Sequence, residues 1–422
     1  MEKGQVSSMK KKILLWLITL CKALFGAVYA VLKLQPLQRK VVMISRQSNK
    51  QRPDFQQIGD AIRAQDPSVR IVYLCREIGH TLQDKLRYVF HLLHCAGHLA
   101  TARVCIIDGY CIPVSVLKHR KELYVMQIWH ALGAVKKFGK QSLDGDGGRD
   151  REVAERMNMH GNYDCVLSAS HRTAEAFSEA FGVPQEKIKV IGVPRVDAIL
   201  KMDRSRCRRR FYGAYPELRG RKNVLYVPTF RDHKTPDLEP VLRSAEELGV
   251  NLIVRLHPLD KEKLKAHSGL PPMLTCDSFG TFTLMAAADA VITDYSAVSI
   301  EASLIHKPVY FYVYDLDEYK ETRGLNFDPL REMPHCASRE FRPLLEKILN
   351  EPYDFDKLDA FRADFVETYD TENIADVYKR QAGRSPPLLS MRIPSSAHAV
   401  TAIPVSWILW DPSWGMCRIL VF

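Results

Sequence analysis

Acidic residues are nearly missing from the start of this chain: the first fifty positions hold Glu2 alone against ten lysines and arginines. That imbalance supplies most of a net charge of +11 over 422 residues. A basic, apolar N-terminus points to an anionic membrane surface rather than to nucleic acid. The basic residues elsewhere lack the interleaved aromatics on which bases stack, so a nucleic-acid partner is not expected. Paired cysteines are missing too. Ten cysteines occur and none forms a CxxC pair; several lie inside apolar runs such as Val104-Cys105-Ile106-Ile107. They read as buried free thiols in a reducing compartment rather than as a disulfide framework or zinc site. No carboxylate cluster offers the oxygen cage of a dedicated metal, so no tightly bound metal or cofactor is expected. Disorder is excluded by a hydrophobic content of 46%, and the length allows two or three domains.

What is present begins with an apolar segment, ILLWLITLCKALFGAVYAVLKL at 13–34, long enough for one membrane span. Lys22 sits near its middle and positive charge flanks both ends, so charge gives no orientation. Lys11, Lys22 and Lys33 recur every eleven residues, almost three helical turns, and therefore form one stripe on a helix. That pattern favours a helix lying in the interface, lysines toward headgroups and Leu, Ile and Trp toward acyl chains. A true span and a signal peptide cleaved after Val28-Tyr29-Ala30 are the alternatives; Lys22 and the unpaired cysteines speak against the latter.

After Pro36, short apolar runs alternate with helical stretches. Lys40–Ser45, Val69–Leu74, Val104–Asp108, Tyr124–Trp129, Asp164–Ala169 and Ile188–Ile191 read as strands, and Asp54–Ala64, Asp84–His98 and Ser170–Phe181 as helices. Gly192-Val193-Pro194 breaks the chain. A basic helical stretch follows over Lys201–Arg221, with Arg206-Cys207-Arg208-Arg209-Arg210, and reads as a solvated connecting helix facing membrane or a polyanionic acceptor. Alternation resumes with strands Val224–Val227, Leu252–Arg255, Ala290–Thr293 and Val309–Val313 and helices Pro240–Leu248 and Ser296–Ile305. The fold class is α/β: two Rossmann-like, doubly wound parallel-sheet domains behind an N-terminal membrane-associated helix. The divisions are a membrane-associated segment 1–38, an acceptor-side domain 39–195, a connecting segment 196–222, a donor-binding domain 223–375 and a tail 376–422. The tail opens with DVYKRQ, the translation of a transposon-end sequencing adaptor, then turns Pro/Ser-rich with Asp411 as its one acid. It reads as an assembly artefact, with the natural sequence ending near Ala375.

Ligands in doubly wound sheets bind beyond the carboxyl ends of the strands, and the chemistry-bearing residues cluster there. Trp129-His130 ends one strand, with Gly133 for a tight turn and Lys136 and Lys137 a turn further on. A histidine there suits proton removal from a hydroxyl near neutral pH. Thr229, Arg231 and Asp232 follow VLYV, and a hydroxyl beside a guanidinium suits phosphate oxygens. Arg255 and His257 follow LIVR on one side of an extended segment that Pro258 keeps non-helical, placed to grip a pyrophosphate. Thr293-Asp294-Tyr295-Ser296 follows AVIT; Ser296 reads as the N-cap of an anion-binding helix start, with Glu301 placed for ribose hydroxyls. Singly, each admits a plainer reading: a packed Trp-His pair, an Arg231–Asp232 surface ion pair, a loop histidine, an ordinary capped helix.

Together, in this order, these segments resemble the CDP-glycerol glycerophosphotransferase family. WHALGAVKKFG, VLYVPTFRD, RLHP and the block VITDYSAVSIEASLIHKPVYFYVYDLDEYKETRGLNFD resemble that family's motifs, and the likeness covers roughly 40–375. Ala131 and Ala297 stand where the family has glycine and a second serine. The resemblance implies a GT-B-like architecture at the cytoplasmic face of the membrane, peripheral or held by a single helix. CDP-glycerol is the implied donor, a lipid-linked glycerol phosphate the implied acceptor, and CMP the product. It implies that His130 deprotonates the acceptor. It further implies that His257, Thr229 and Arg231 contact the donor diphosphate. Thr293, Asp294, Tyr295 and Ser296 would line the donor site, and Arg323 would close over it. A GT-B transferase using CDP-ribitol or a nucleotide sugar is the alternative enzyme, and a non-catalytic membrane-bound nucleotide-binding subunit the alternative of another class.

Overall fold

A computed structural model describes residues 2–79, 81–145, 148–231, 237–257, 260 and 274–367. Asp232, Pro258 and the expected non-native tail lie outside the described residues.

Among the described residues eleven strands form two sheets. β1 (Lys40–Ser45), β2 (Arg70–Cys75), β3 (Val104–Ile107), β4 (Tyr124–Gln127), β5 (Cys165–Ser168) and β6 (Ile188–Val190) pair in the order β2-β1-β3-β4-β5-β6. β7 (Asn223–Val227), β8 (Asn251–Val254), β9 (Ala290–Thr293), β10 (Val309–Tyr312) and β11 (Ala337–Ser338) pair in the order β11-β10-β9-β7-β8. Every pairing is parallel; Val42, for example, lies between Val72 and Cys105. Parallel strands covered on both faces must be apolar throughout, which is why β1, β5, β9 and β10 are buried at every position. The strand order reverses between β1 and β3 in the first sheet and between β7 and β9 in the second, which fixes where each sheet opens a ligand crevice.

Helix ends follow their local chemistry. Helix His171–Phe181 starts on the Ser170 hydroxyl, which accepts from the Thr173 N–H, and stops at Gly182 with φ +61°. Three expectations need correction. Pro194 does not break the chain; it opens the short helix Pro194–Leu200, since proline is preorganised for a first helical turn. The basic stretch is a shorter helix, Arg204–Ala214, capped by Asp203. It buries Phe211 and packs on helix Thr281–Ala287 of the second unit, its arginines mostly outward. Helix Val298–Leu304 begins two residues later than expected, with Ala297 rather than Ser296 at the cap; the Ser296 hydroxyl instead accepts from the Val298 N–H at 3.3 Å.

A fourth correction is the direction of the lysine stripe. Helix Glu2–Leu32 is long and packs on helix Leu82–Thr101. Its lysines face the protein body, not solvent: Lys11 pairs with Asp150 and Glu152 at 2.8 and 2.9 Å. Lys22 donates to the Arg156 carbonyl and Lys33 to the Lys118 carbonyl. Tyr29 closes the seam, bonded to His119 at 2.9 Å. The opposite side turns Trp16 (62% exposed) and Leu24 (61%) outward, and the neighbouring helix does the same with Leu82 (74%) and Phe90 (64%).

The last described helix, Phe355–Phe365, crosses back. It packs against Val298–Leu304 and against His171–Phe181 of the first unit, and Arg172 lies over the Phe365 ring at 4.8 Å. The units also meet through the backbone, where Asn326 and Phe327 N–H groups donate to the Val135 carbonyl and Lys137 to that of Gly324.

Candidate active site

A cavity of about 440 Å³ opens where the strand ends of the two sheets face one another. From the first sheet it is lined by residues just past β1 (Arg46, Gln47), β3 (Gly109, Tyr110) and β4 (Trp129, His130). From the second come Tyr295, Ala297 and Arg323.

β4 ends in a sharp turn. Trp129 has φ +54°, a left-handed conformation rare for a bulky side chain and costing on the order of 1–3 kcal/mol. It is held there by its N–H, which donates to Gln127 Oε1 at 2.9 Å, and by its ring, stacked on Phe138 at 4.8 Å and set edge-on to Phe181. The turn delivers His130 into the cavity. His130 Nδ1 donates to the Asp108 carbonyl at 2.9 Å, which leaves Nε2 with its lone pair. Burial, helped by the charges of Arg52, Arg195 and Lys136, pushes this imidazole down to about 4, so it is neutral at pH 7. His160, on the same cavity wall, is pushed down to about 3 by burial and nearby Lys140, Arg149 and Arg46.

Both shifts have a testable sign. The unfolded chain takes up these protons near 6.5, the folded chain near 3–4. The stability they contribute is therefore full above 6.5 and lost as pH falls toward 4. Urea midpoints at fixed ionic strength should hold from pH 8 to 6.5 and then drop. The acidic limb of kcat/KM should lie near 4 rather than near 6.5.

The floor on the second side is a buried polar cluster. Asp294 accepts from the Thr229 N–H at 2.9 Å and the Thr229 hydroxyl at 2.7 Å. Arg231 donates to Asp294 at 3.0 Å and to Asp315 at 2.8 Å, and Asp315 also accepts from the Tyr295 hydroxyl at 3.1 Å. Tyr295 stacks on Tyr319 at 4.1 Å, with the Arg231 guanidinium 4.7 Å from the Tyr319 ring. Thr229, Arg231 and Asp294, read from the sequence as donor contacts, thus turn their polar atoms on one another beneath Tyr295. Thr293 donates to the Val227 carbonyl between strands.

Five of the expected residues meet at the cavity: His130, Gly133, Lys136, Tyr295 and Arg323. Gly133 is there for space and not for a turn. A Cβ would lie 2.5 Å from Ile300 Cδ1 and 2.9 Å from Phe365 Cδ1, so any larger residue would force those side chains to shift. Lys137 flanks the wall, its aliphatic stem against Gly324. Glu301, expected at a ribose, instead binds Arg195 at 2.5 Å across the interface, with Asp54 4.0 Å from the same guanidinium. Arg255 pairs with Asp277 at 3.1 Å, and His257 is exposed with its ring 4.8 Å from Phe230; neither lines the cavity. Among the described residues, no three His, Cys, Asp or Glu side chains converge as a metal site.

Sequence reasoning missed Arg46, Gln47, Tyr110, Arg149 and His160. The first three stand just past strands it had found, so the strand-end rule that selected His130 would have reached them. Arg149 and His160 lie in irregular chain between β4 and β5, where no periodicity marks them.

The family described as CDP-glycerol:poly(glycerophosphate) glycerophosphotransferase matches residues 27–381. The chain is 32% identical over 376 residues to a teichoic acid ribitol-phosphate primase of Bacillus spizizenii, covering 86% of this chain and 96% of that protein. It is 29% identical over 288 residues to a teichoic acid glycerol-phosphate primase of Bacillus subtilis, covering 67% and 73%. The solved wall teichoic acid polymerase TagF shares the fold, with a TM-score of 0.63 at 19% identity over 88% of this chain and 98% of that one.

Proposed function

This chain belongs to the CDP-glycerol:poly(glycerophosphate) glycerophosphotransferase family, and from that premise we propose how its residues divide the work. It is a transferase of teichoic acid synthesis that moves glycerol phosphate from CDP-glycerol and releases CMP. The acceptor is a hydroxyl on a lipid-linked chain. Its oxygen attacks the β-phosphorus, the bond from that phosphorus to the bridging oxygen breaks, and CMP departs with the electron pair. The acceptor proton passes to Nε2 of His130. The observation that carries this reading is the tautomer: Nδ1 is committed to the Asp108 carbonyl and the ring is neutral, so Nε2 keeps an open lone pair that can take the proton. The remaining catalysis is positioning and charge neutralisation. Lys136 and Arg323 supply cations within the cavity. On this reading Arg255 and His257, past the end of β8 and outside the cavity lining, reach the donor diphosphate when it is bound, as does Ser296.

The test is CMP release from purified protein with CDP-glycerol, CDP-ribitol and nucleotide sugars side by side. Release with CDP-glycerol and not with sugars is expected. A second reading, CDP-ribitol as donor, is favoured by the ribitol-phosphate primase match along 96% of that protein's length. Turnover restricted to CDP-ribitol would establish it.

The two-helix apolar face serves a bilayer. Met9–Leu32 is long and apolar enough to cross a membrane. However, its lysine side is fastened to the folded body along its length, so it lies in the membrane plane with Trp16, Leu24 and Phe90 in the lipid. Burying each such side chain contributes about 1.5–3 kcal/mol. Trp16→Glu with Leu24→Glu should therefore cut sedimentation with anionic vesicles by at least about tenfold, while CMP release on a soluble acceptor persists. Unchanged sedimentation would mean another surface binds lipid.

A further inference from the structure

Two guanidiniums in the cavity have no part in proton transfer at His130. Arg46 follows β1, and Arg149 leaves the turn at Asp144, where Asp144 N–H donates to the Arg149 carbonyl. They flank one ring: their guanidinium carbons lie 5.8 and 5.5 Å from the centre of Tyr110. Arg46 also donates to the Tyr110 carbonyl at 3.1 Å. Other arginines near the domain seam are neutralised, Arg52 by Asp54, Arg195 by Glu301, Arg172 by Glu332 and Arg231 by Asp294 and Asp315. Among the described residues Arg46 and Arg149 have no carboxylate partner. The Tyr110 hydroxyl beside them is buried without a hydrogen-bond partner. Two cations without a carboxylate and a hydroxyl without a hydrogen-bond partner among the described residues, all on one cavity wall, suit an anion with several acceptor oxygens, and a phosphate provides them in the geometry guanidinium groups grip best.

The location says whose phosphate it is. Arg46 adjoins Gln47, whose Nε2 lies 3.5 Å from His130 Nδ1, and Tyr110 adjoins Gly109, whose Cβ position would be 4.0 Å from the same nitrogen. Arg46 and Tyr110 therefore each adjoin a residue that touches the His130 ring, and with Arg149 they line the same cavity as Tyr295 and Arg323. We infer that Arg46, Arg149 and Tyr110 form a phosphate subsite for the acceptor, so that the enzyme favours a hydroxyl that has a phosphate group a short distance behind it. This rests on the reading of His130 as the base that meets the acceptor. Burial first, then the charges of Lys140, Arg149 and Arg46, lowers the proton affinity of His160, and those cations are part of the field such a group would enter. The phosphate has two possible sources: the last phosphodiester of a growing polymer, or the diphosphate that joins a short acceptor to its lipid.

The experiment compares wild type, Arg46→Gln and Arg149→Gln by CMP release with three soluble acceptors of equal length. One carries a phosphodiester next to its terminal polyol, one an uncharged ether at that point, and one the ether plus a distal diphosphate. Losing a charge-assisted hydrogen bond should raise the acceptor KM of each variant by about ten- to hundredfold, with the donor KM little moved. A penalty confined to the phosphodiester acceptor assigns the subsite to the polymer end. A penalty with the diphosphate acceptor as well assigns it to the carrier. An equal penalty with the ether acceptor, or none with any, overturns the inference. Arg46→Lys, which keeps charge and loses the fork, should recover part of the loss. Absence of CMP release by wild type with every donor would instead strike at the transferase reading, and thermal melting shows whether each variant is folded.

Discussion

His130→Ala is expected to lower kcat for CMP release by about 10²- to 10⁴-fold, the usual range for a positioned general base, while the donor KM stays within about threefold. The split follows from where the ring sits. It approaches the cavity from the first sheet, held by the Asp108 carbonyl, and takes no part in the buried cluster of the second sheet. Its removal should weaken the transition state, in which the acceptor hydroxyl sheds its proton, far more than the bound donor. Exogenous imidazole should restore a fraction of the rate, with a pH dependence near the reagent's own pKa. Near-normal turnover by the alanine variant would remove His130 from the chemistry and leave the strained Trp129 turn without a functional explanation.

Asp294→Ala is expected to destabilise the fold by about 3–5 kcal/mol, the range for removing one partner of a buried ion pair. Asp294 is 1% exposed and accepts from the Thr229 amide and hydroxyl, the Tyr295 amide and Arg231. Its loss takes the acceptor from the Thr229 amide and hydroxyl and the Tyr295 amide, and leaves Arg231 with Asp315 as its carboxylate. Urea denaturation should show the loss at constant m-value. Asn at the same position, which keeps one acceptor oxygen, should cost less. A variant as stable as wild type but with a large rise in donor KM would return Asp294 and Arg231 to the role the motif first suggested.

Much of the architecture was legible because buried parallel strands leave continuous apolar runs, and β1 and β9 were bounded to the residue. The strand-end rule then gave the location of His130, Tyr295 and Arg231 without any knowledge of tertiary contacts. What stayed hidden were partners. Arg231 is satisfied by Asp315, 84 positions away, and Glu301 by Arg195, 106 positions away, so nothing local distinguishes a ligand-binding charge from a paired one. Gly133 shows the same limit, since a glycine kept for closeness to Ile300 looks in sequence like one kept for a turn. Periodicity put Lys11, Lys22 and Lys33 on one helix face. It could not say which way that face points, because the partners that decide it, Asp150, Glu152 and the carbonyls of Arg156 and Lys118, lie far along the chain.

The three lysine fastenings are spread over 22 residues, some 33 Å of helix. A support clamped at both ends and in the middle cannot pivot. If that helix floats in the leaflet, His130 rides at one altitude above it, like a blade on a fixed gantry. A tethered hydroxyl then reacts only when its leash is long enough to reach that height and not so long that it overshoots, which makes the spacing between scaffold and cavity a ruler for the acceptor.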